Sequence, residues 1–278
     1  MMTERTRSRL IERLRDVQRG PVAPIGFAAV PRTVPAMALL AQVPQATVDL
    51  VAAAGQAGAD AVAIPAATGA ASPEEERDRL IACQQAAGGV PVGLVYGPAA
   101  SLTVEDVHWL AGAGFDFLIV GVEQAPAPLV TVEGVGRLIR VEADLAPGLL
   151  RALGELEVDA VVLGRARLRE DAVYLSLYDV LGMRQVADLV RQPVVVPTEQ
   201  NLLPADLQAL RQAGVLGLLL TPPLIGETPE AVRASVTRYR QAIAQIRPLR
   251  RRPREEAVVL PQVRAPAVEE EEEEEEDE

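Results

Sequence analysis

The chain has 278 residues, 49% of them hydrophobic, and a formal net charge of −12. All 27 basic residues are arginine, and His108 and Cys83 are the single histidine and cysteine. This composition excludes a lysine Schiff base, a lysine phosphate clamp, a zinc site of several His or Cys ligands from one chain, and an intrachain disulfide. The chain also lacks a secretory signal pattern and a run of about 18 apolar residues, so we expect a cytoplasmic protein without a membrane span.

The first predicted element is a helix from Thr3 to Gln18. An apolar, strand-like stretch follows it from Pro21 to Val30. Neither segment belongs to the alternation that begins further along the chain. Residues 1–36 are therefore predicted to form an N-terminal helix and a cover segment outside the main fold.

A short turn then recurs along the chain. It reads Ala57-Gly58-Ala59-Asp60 at its first occurrence and returns at residues 113–116, with related turns at residues 158–159 and 213–216. Each copy ends a helical pattern and starts an apolar run of four to six residues. Glycine at this point is typical of a helix C-cap, and a continuous apolar run is typical of a strand buried on both faces.

Four more strand-like runs alternate with these four, at Met37 to Val43, Val90 to Tyr96, Leu138 to Glu142 and Pro193 to Thr198. Helical patterns separate the runs, and the weakest of them follows the fourth strand. Eight strands alternating with helices over residues 37–247 predict an α/β fold, a single closed (β/α)8 or TIM barrel. The alternative is an open doubly wound sheet, which requires a Gly-rich phosphate turn after its first strand. That strand ends instead in Val43-Pro44-Gln45.

The recurring Ala-Gly-Ala-Asp turn resembles the phosphate- and flavin-binding branch of the TIM barrels. That branch holds phosphate in a Gly-Ser type cradle after strand eight, where this chain has Thr221-Pro222-Pro223. The two prolines remove two backbone donors, which disfavours a phosphate or flavin site there. A shorter segment, Ala113 to Pro126, resembles a strand of the metal-dependent HpcH-type aldolases. It keeps their Glu as Glu123 and has Gln124 where they have His.

Ligands of TIM barrels bind at the carboxyl ends of the strands, and strand alternation selects the side chains that face the axis. The expected polar rim consists of Gln42, Glu123, Arg140, Glu142, Arg165, Glu199 and Thr221. Glu123, Glu142 and Glu199 are the predicted catalytic residues. They could converge on a divalent cation such as Mg²⁺, or one of them could be a general base whose pKa is raised by its like-charged neighbours.

The remaining rim residues are predicted to bind the ligand. Arg140 and Arg165 could hold a carboxylate or phosphate bidentately, with Gln42 and Thr221 as further ligand-binding residues. The same charges could instead form a structural network, because an unpaired buried charge is costly.

Two functions remain open at this point. One is a lyase or isomerase that acts on a small anionic metabolite through carboxylate and arginine groups, with a divalent metal as an open question and a flavin disfavoured. The other is a barrel without catalysis that serves as a binding or assembly module. The absence of lysine, and of histidine at the expected rim, keeps the second alternative open.

The last segment carries most of the charge. Residues 269–278 are ten consecutive acids, and without them 29 acids and 27 bases leave a net charge of −2. Residues 248–278, rich in Pro, Arg and Val and then in Glu, have no strand or helix period and are predicted to be a disordered extension. Such a tail could contact a basic protein partner. The nearly neutral body and acidic tail disfavour nucleic-acid binding.

Overall fold

The computed structural model describes residues 8–20, 34–66, 73–142, 144–164, 175–199 and 201–247. The strands are β1 (Ala38–Gln42), β2 (Ala61–Pro65), β3 (Val92–Val95), β4 (Phe117–Gly121), β5 (Gly136–Val141), β6 (Ala160–Leu163), β7 (Val194–Thr198) and β8 (Val215–Leu220). The helices are α1 (Arg9–Arg19), α2 (Val48–Gln56), α3 (Pro73–Ala86), α4 (Val104–Gly112), α5 (Pro147–Glu155), α6 (Leu177–Leu189), α7 (Pro204–Gln212), α8 (Pro222–Ile225) and α9 (Pro229–Ala244). The predicted cover segment at residues 21–30 and the extension at residues 248–278 lie outside the described residues.

The strands form one closed parallel barrel, in which each strand pairs with the next one along the chain. β8 pairs with β1, with Ala38 opposite Gly217 and Ala41 opposite Leu220. This pairing closes the sheet and leaves it without an edge strand. It confirms the predicted TIM barrel and excludes the open doubly wound sheet.

Successive residues of each strand belong to two different cores. On β5, Ile139 and Val141 are buried between the sheet and the helices, whereas Leu138 is buried inside the barrel. Because side chains alternate along a strand, Arg140 must share the inward face with Leu138. The alternation predicted from the sequence is thus confirmed for this strand, and it places Arg140 on the barrel axis side.

Helices separate the strands, as the sequence predicted. The weak pattern after β4 is a 3-10 helix, Ala127–Thr131. Thr103 and Ser176 begin α4 and α6 with reciprocal capping boxes, to Asp106 and Asp179. In the described part of the chain, no helix is long and apolar enough to cross a bilayer.

The amino-terminal end of the barrel is closed by α1. The apolar face of this helix is buried in the inner core and consists of Leu10, Ile11, Leu14 and Val17. Glycines on the strands leave room for it. A methyl group placed on Gly217 would lie 3.2 Å from Cδ2 of Leu14, and one on Gly136 would lie 2.8 Å from Oγ of Ser8. Helix α1 therefore completes the core of the barrel.

The aspartate of the repeated turn holds α1 in place. Asp116, which precedes β4, accepts hydrogen bonds from the Ser8 hydroxyl at 2.7 Å and from the backbone N–H groups of Arg9 at 2.8 Å and Leu10 at 3.0 Å. These two N–H groups belong to the first turn of α1, where the helix itself offers no acceptor. Asp116 thus caps the helix from a distant part of the chain.

The equivalent aspartates before β2 and β6 make ion pairs. Asp60 lies 3.0 Å from Arg13 of α1 and 2.8 Å from Arg240 of α9. Asp159 lies 2.9 Å from the Nε of Arg137. All three aspartates are therefore structural groups at the closed end of the barrel, away from the end where ligands of this fold bind.

Candidate functional site

The carboxyl ends of the strands, which we call the mouth, form the end of the barrel opposite α1. Three residues of the predicted rim lie there on the ends of strands. Gln42 is the last residue of β1, Arg140 precedes the last residue of β5, and Thr221 directly follows β8. Gln42 and Arg140 are half-buried and Thr221 is buried, so all three face into the structure.

Arg140 is a partly desolvated cation at the mouth. It lies level with Gly121 of β4 and Val162 of β6 on the inward face of the sheet. Burial lowers the pKa of its guanidinium below the usual value, and Glu142 acts in the opposite direction. Among the described residues, Glu142 is the one charged group found to act on Arg140. An anion that reached the guanidinium would compensate for the hydration that it has lost.

Glu142 follows β5 and covers the end of the neighbouring strand. Its carboxylate lies against Gly164, so that a methyl group on Gly164 would be 2.5 Å from Oε1 and 2.7 Å from Oε2. The backbone N–H of Gly164 donates to the carbonyl of Val141 and joins the two strand ends. The missing side chain at Gly164 therefore leaves the space that the Glu142 carboxylate occupies, two residues after Arg140 and exposed to solvent.

Glu123 lies beyond the end of β4, so the alternation of side chains along this strand does not apply to it. β4 ends at Gly121, and the chain then turns, with the N–H groups of Gln124 and Ala125 donating to the Gly121 carbonyl. Glu123 is exposed in this turn. The side-chain oxygen of Gln124 lies over Gly121 instead, and Gly121 pairs with Arg140. The residue next to Arg140 on this side is thus Gln124.

Thr221 has a structural bond at the mouth. Its hydroxyl donates to the carbonyl of Thr198 at 2.8 Å, and its backbone N–H reaches the same carbonyl at 3.2 Å. The hydroxyl hydrogen is therefore engaged, and a ligand could use only the lone pairs of this oxygen. Pro222 and Pro223 follow it in the first turn of α8, as the sequence indicated.

The three predicted catalytic carboxylates are exposed beyond the ends of their strands. Glu199 follows β7 and is exposed, like Glu123 and Glu142. Among the described residues, no group of three or more His, Cys, Asp or Glu side chains is arranged to hold a metal ion. All three residues follow the last residue of their strands, so strand alternation does not fix where their carboxylates lie, and their convergence on a divalent cation stays a prediction. Arg165 lies outside the described residues.

The side chains that most often supply nucleophiles or general bases lie away from the mouth. Cys83 is buried on α3 in the core beneath the helices, and burial raises the pKa of its thiol. His108 is exposed on α4. Among the described residues, the strand ends at the mouth carry Glu, Arg, Gln and Thr side chains.

Two residues of the site were not singled out by the sequence. The sequence marks Gln124 only as the position where the aldolases have His, and it gives Gly164 no role. The available signal was the pair of glycines, Gly121 and Gly164, at the ends of the strands that flank β5. Glycine at such a position leaves space for a side chain from a neighbouring segment to pack over the strand end.

A separate cavity of about 320 Å³ lies at the closed end, beside α1. Its polar walls include Ser8, Arg15, Arg137 and Asp159. Arg137 is already held by Asp159 and by the carbonyl of Val130 at 2.6 Å. This cavity therefore belongs to the contacts that anchor α1.

Comparison with known proteins supports the fold. No family model matches the chain, and no curated protein matches it in sequence. Among solved structures, it is similar to a tryptophan synthase chain from Mycobacterium tuberculosis, with a TM-score of 0.58 and 17% identity over 75% of this chain and 93% of that one. It is also similar to the thiamine phosphate pyrophosphorylase from Pyrococcus furiosus, with a TM-score of 0.51 and 16% identity over 74% of this chain and 95% of that one. The chain has the TIM-barrel fold. At these identities the likeness extends to the fold alone.

Proposed function

We propose that the chain binds a small anionic metabolite at the mouth of the barrel and acts on it as a lyase or isomerase. The observation that carries this proposal is the half-buried Arg140 on the inward face of β5. A guanidinium binds carboxylate or phosphate groups through two parallel hydrogen bonds. Its position agrees with the end of the barrel at which enzymes of this fold bind their substrates.

The neighbouring side chains suit proton transfer on such a ligand. Glu142 follows Arg140 by two residues and has an exposed carboxylate, which could take a proton from a bound molecule. Gln42 and Gln124 could donate hydrogen bonds to its neutral oxygens. The similar structures include a tryptophan synthase and a thiamine phosphate pyrophosphorylase, which favours enzymatic chemistry at this end.

A thermal-shift measurement on the purified chain tests the proposal. The panel consists of keto acids, hydroxy acids and sugar phosphates, each at millimolar concentration. A ligand present at about 100 times its Kd stabilises a folded protein by about 2.7 kcal/mol, which corresponds to a rise in Tm of several degrees. We expect one anion class to give such a rise in the wild type and in Arg151→Met, an exposed arginine on α5, and not in Arg140→Met.

The proposal fails if Arg140→Met keeps the full ligand-dependent rise in Tm. It also fails if no anion of the panel stabilises the wild type.

A barrel without catalysis is the second candidate function. The observation that favours it is that groups at the mouth act on one another within the chain: the charge of Glu142 opposes the lowering of the Arg140 pKa by burial, and Thr221 donates to Thr198. In that case the Arg140–Glu142 pair is structural, and the chain serves as a binding or assembly module whose acidic residues 269–278 contact a basic protein. Glu142→Gln distinguishes the two functions. It lowers stability and leaves ligand binding intact if the pair is structural.

A further inference from the structure

We propose that the ligand bound at the mouth is a carboxylate with a hydrogen-bond donor on the neighbouring carbon, as in 2-hydroxy and 2-amino acids. This class of substrate belongs to the site around Arg140, so the proposal rests on the proposed function. The reason is that Arg140 binds an anionic group, whereas Glu142 and Thr221 offer acceptors, which pair with a donor.

The carboxylate of Glu142 lies on the axis side of β6. Ala160 and Val162 of this strand belong to the inner core, and the N–H of Gly164 continues the pairing by donating to the end of β5. Because side chains alternate along a strand, a Cβ on Gly164 would point toward the axis, like those of Ala160 and Val162. The Glu142 oxygens lie 2.5 and 2.7 Å from that Cβ position. The carboxylate therefore faces the interior of the mouth.

Arg140 and Glu142 act on one another without a direct ion pair. The charge of Glu142 opposes the lowering of the Arg140 pKa by burial. In the part of the chain that the structure describes, the ion pairs within 4.0 Å do not include these two residues. Two hydrogen bonds of about 2.8 Å, with a small ligand between them, bridge a wider separation than an ion pair does. The two charges are therefore placed to hold two different groups of one small molecule.

The Glu142 carboxylate and the Thr221 hydroxyl can accept hydrogen bonds from a ligand but not donate them. An ionised carboxylate has only acceptor oxygens. The hydroxyl of Thr221 already donates to the carbonyl of Thr198 at 2.8 Å, so its lone pairs are what remains for a ligand. Pro222 and Pro223, which follow Thr221, have no N–H groups. A ligand that brings its own donor therefore complements these groups.

A carboxamide lies on the other side of Arg140. Phe117 and Ile119 of β4 belong to the inner core, so a Cβ on Gly121 would point inward too. The Oε1 atom of Gln124 lies over this position, and Gly121 is level with Arg140 in the sheet. Arg140 thus lies on β5 between a carboxamide over β4 and a carboxylate over β6. A ligand carboxylate on Arg140 can direct its neighbouring carbon toward either group, and a donor on that carbon favours the carboxylate.

The carboxylate of Glu142 distinguishes ligands that share one carbon skeleton. A 2-oxo acid presents a carbonyl oxygen where a 2-hydroxy acid presents an O–H and a 2-amino acid an N–H, and two acceptors repel one another. Glu142 is exposed, so water compensates for part of the lost hydrogen bond. We therefore expect at least one of the two donor-bearing acids to bind about tenfold more tightly than the oxo acid, the low end of the range for a hydrogen bond to a charged group.

Titration calorimetry on the full chain tests this preference with two matched sets: lactate, alanine and pyruvate, and 2-hydroxyglutarate, glutamate and 2-oxoglutarate. Within a set, comparison of the hydroxy acid with the amino acid identifies the donor. In Glu142→Gln the preference over the oxo acid should fall below about twofold, because a carboxamide is a weaker acceptor. In Gly164→Ala it should fall as well, because the charge remains but the carboxylate is displaced. The matched control, Glu105→Gln, removes an exposed carboxylate from the outer helix α4 and should keep the full preference.

The results that contradict this substrate class differ from those that contradict the proposed function. The substrate class is wrong if the wild type binds the oxo acid as tightly as both donor-bearing acids while Arg140→Met loses the binding of all three, a result that leaves anion binding at the mouth intact. It is also wrong if the full preference persists in Glu142→Gln or in Gly164→Ala. If none of the compounds binds, or if Arg140→Met binds them as the wild type does, the proposed function fails and the substrate class with it.

Discussion

At the scale of single residues, the Glu142 carboxylate occupies space that a side chain at Gly164 would fill. A Cβ there would lie 2.5 Å from Oε1, well inside contact distance, so the carboxylate would have to move. Gly164 is buried directly after β6, whereas the carboxylate is the far end of an exposed side chain and can move aside. The position of the Glu142 carboxylate therefore depends on a residue without a side chain, Gly164.

Gly164→Ala should accordingly displace the Glu142 carboxylate. Because the atoms that the new Cβ meets are the far end of an exposed side chain, the free energy of unfolding should fall by less than about 1 kcal/mol. Urea denaturation measures this change. The matched control is Gly112→Ala at the end of α4, where a Cβ would meet nothing within 4 Å and stability should stay the same or rise slightly. A loss of several kcal/mol in Gly164→Ala would show that the Glu142 carboxylate cannot move aside.

At the scale of elements, α1 docks through the aspartates of the repeated turn. Asp116 has an 8% exposed side chain and accepts three hydrogen bonds from residues 8–10. Its removal leaves two N–H groups of the first helical turn without their acceptor at the closed end of the barrel. Because the apolar face of α1 fills the inner core, weaker docking lowers the stability of the whole barrel.

Asp116→Ala should therefore cost about 1–3 kcal/mol, the range for a lost helix cap or an unsatisfied buried donor. The comparison is Asp188→Ala, which breaks only the exposed pair with Arg184 and should cost at most about 0.5 kcal/mol. Chemical denaturation of the two variants side by side measures the difference. Equal costs would show that Asp116 does not anchor α1.

The elements were predictable from the sequence because their signals are local. Glycine in the repeated turn has φ of +95° at Gly58 and +83° at Gly114, a conformation that favours glycine, and continuous apolar runs mark strands covered on both faces. The docking role of Asp60 and Asp116 was not predictable. It depends on contacts with α1, which lies 47 to 108 positions away along the chain.

The candidate site was predictable only as far as the strands extend. Alternation placed Arg140 and Gln42 correctly on the inward face, because each lies inside a regular strand. It failed at Glu123, because the chain turns after Gly121 and the period of two no longer applies. Residues beyond strand ends are placed by turn geometry and by neighbouring side chains, as Gln124 is.

At the scale of the whole molecule, the net charge of −12 is shared between the barrel residues 37–247, with 24 acids and 15 arginines, and residues 248–278, with 12 acids and 5 arginines. Removing residues 248–278 should leave the Tm within about 2 °C of the full chain, because a segment of this composition buries too little apolar surface to contribute to stability. Scanning calorimetry at low and at physiological salt measures the effect. A drop of many degrees would contradict the expected disorder of this segment.

The barrel thus has one end closed by α1 and one end at which Arg140 is the partly buried cation. The most direct test of its proposed role follows the arginine itself. In chain labelled with ¹⁵N-arginine, the Nε–H signal that is missing from Arg140→Met should shift on titration with inorganic phosphate or a keto acid, and the signal missing from Arg151→Met should not. An Arg140 signal that stays unmoved while a stabilising anion binds would contradict an anion site at the mouth.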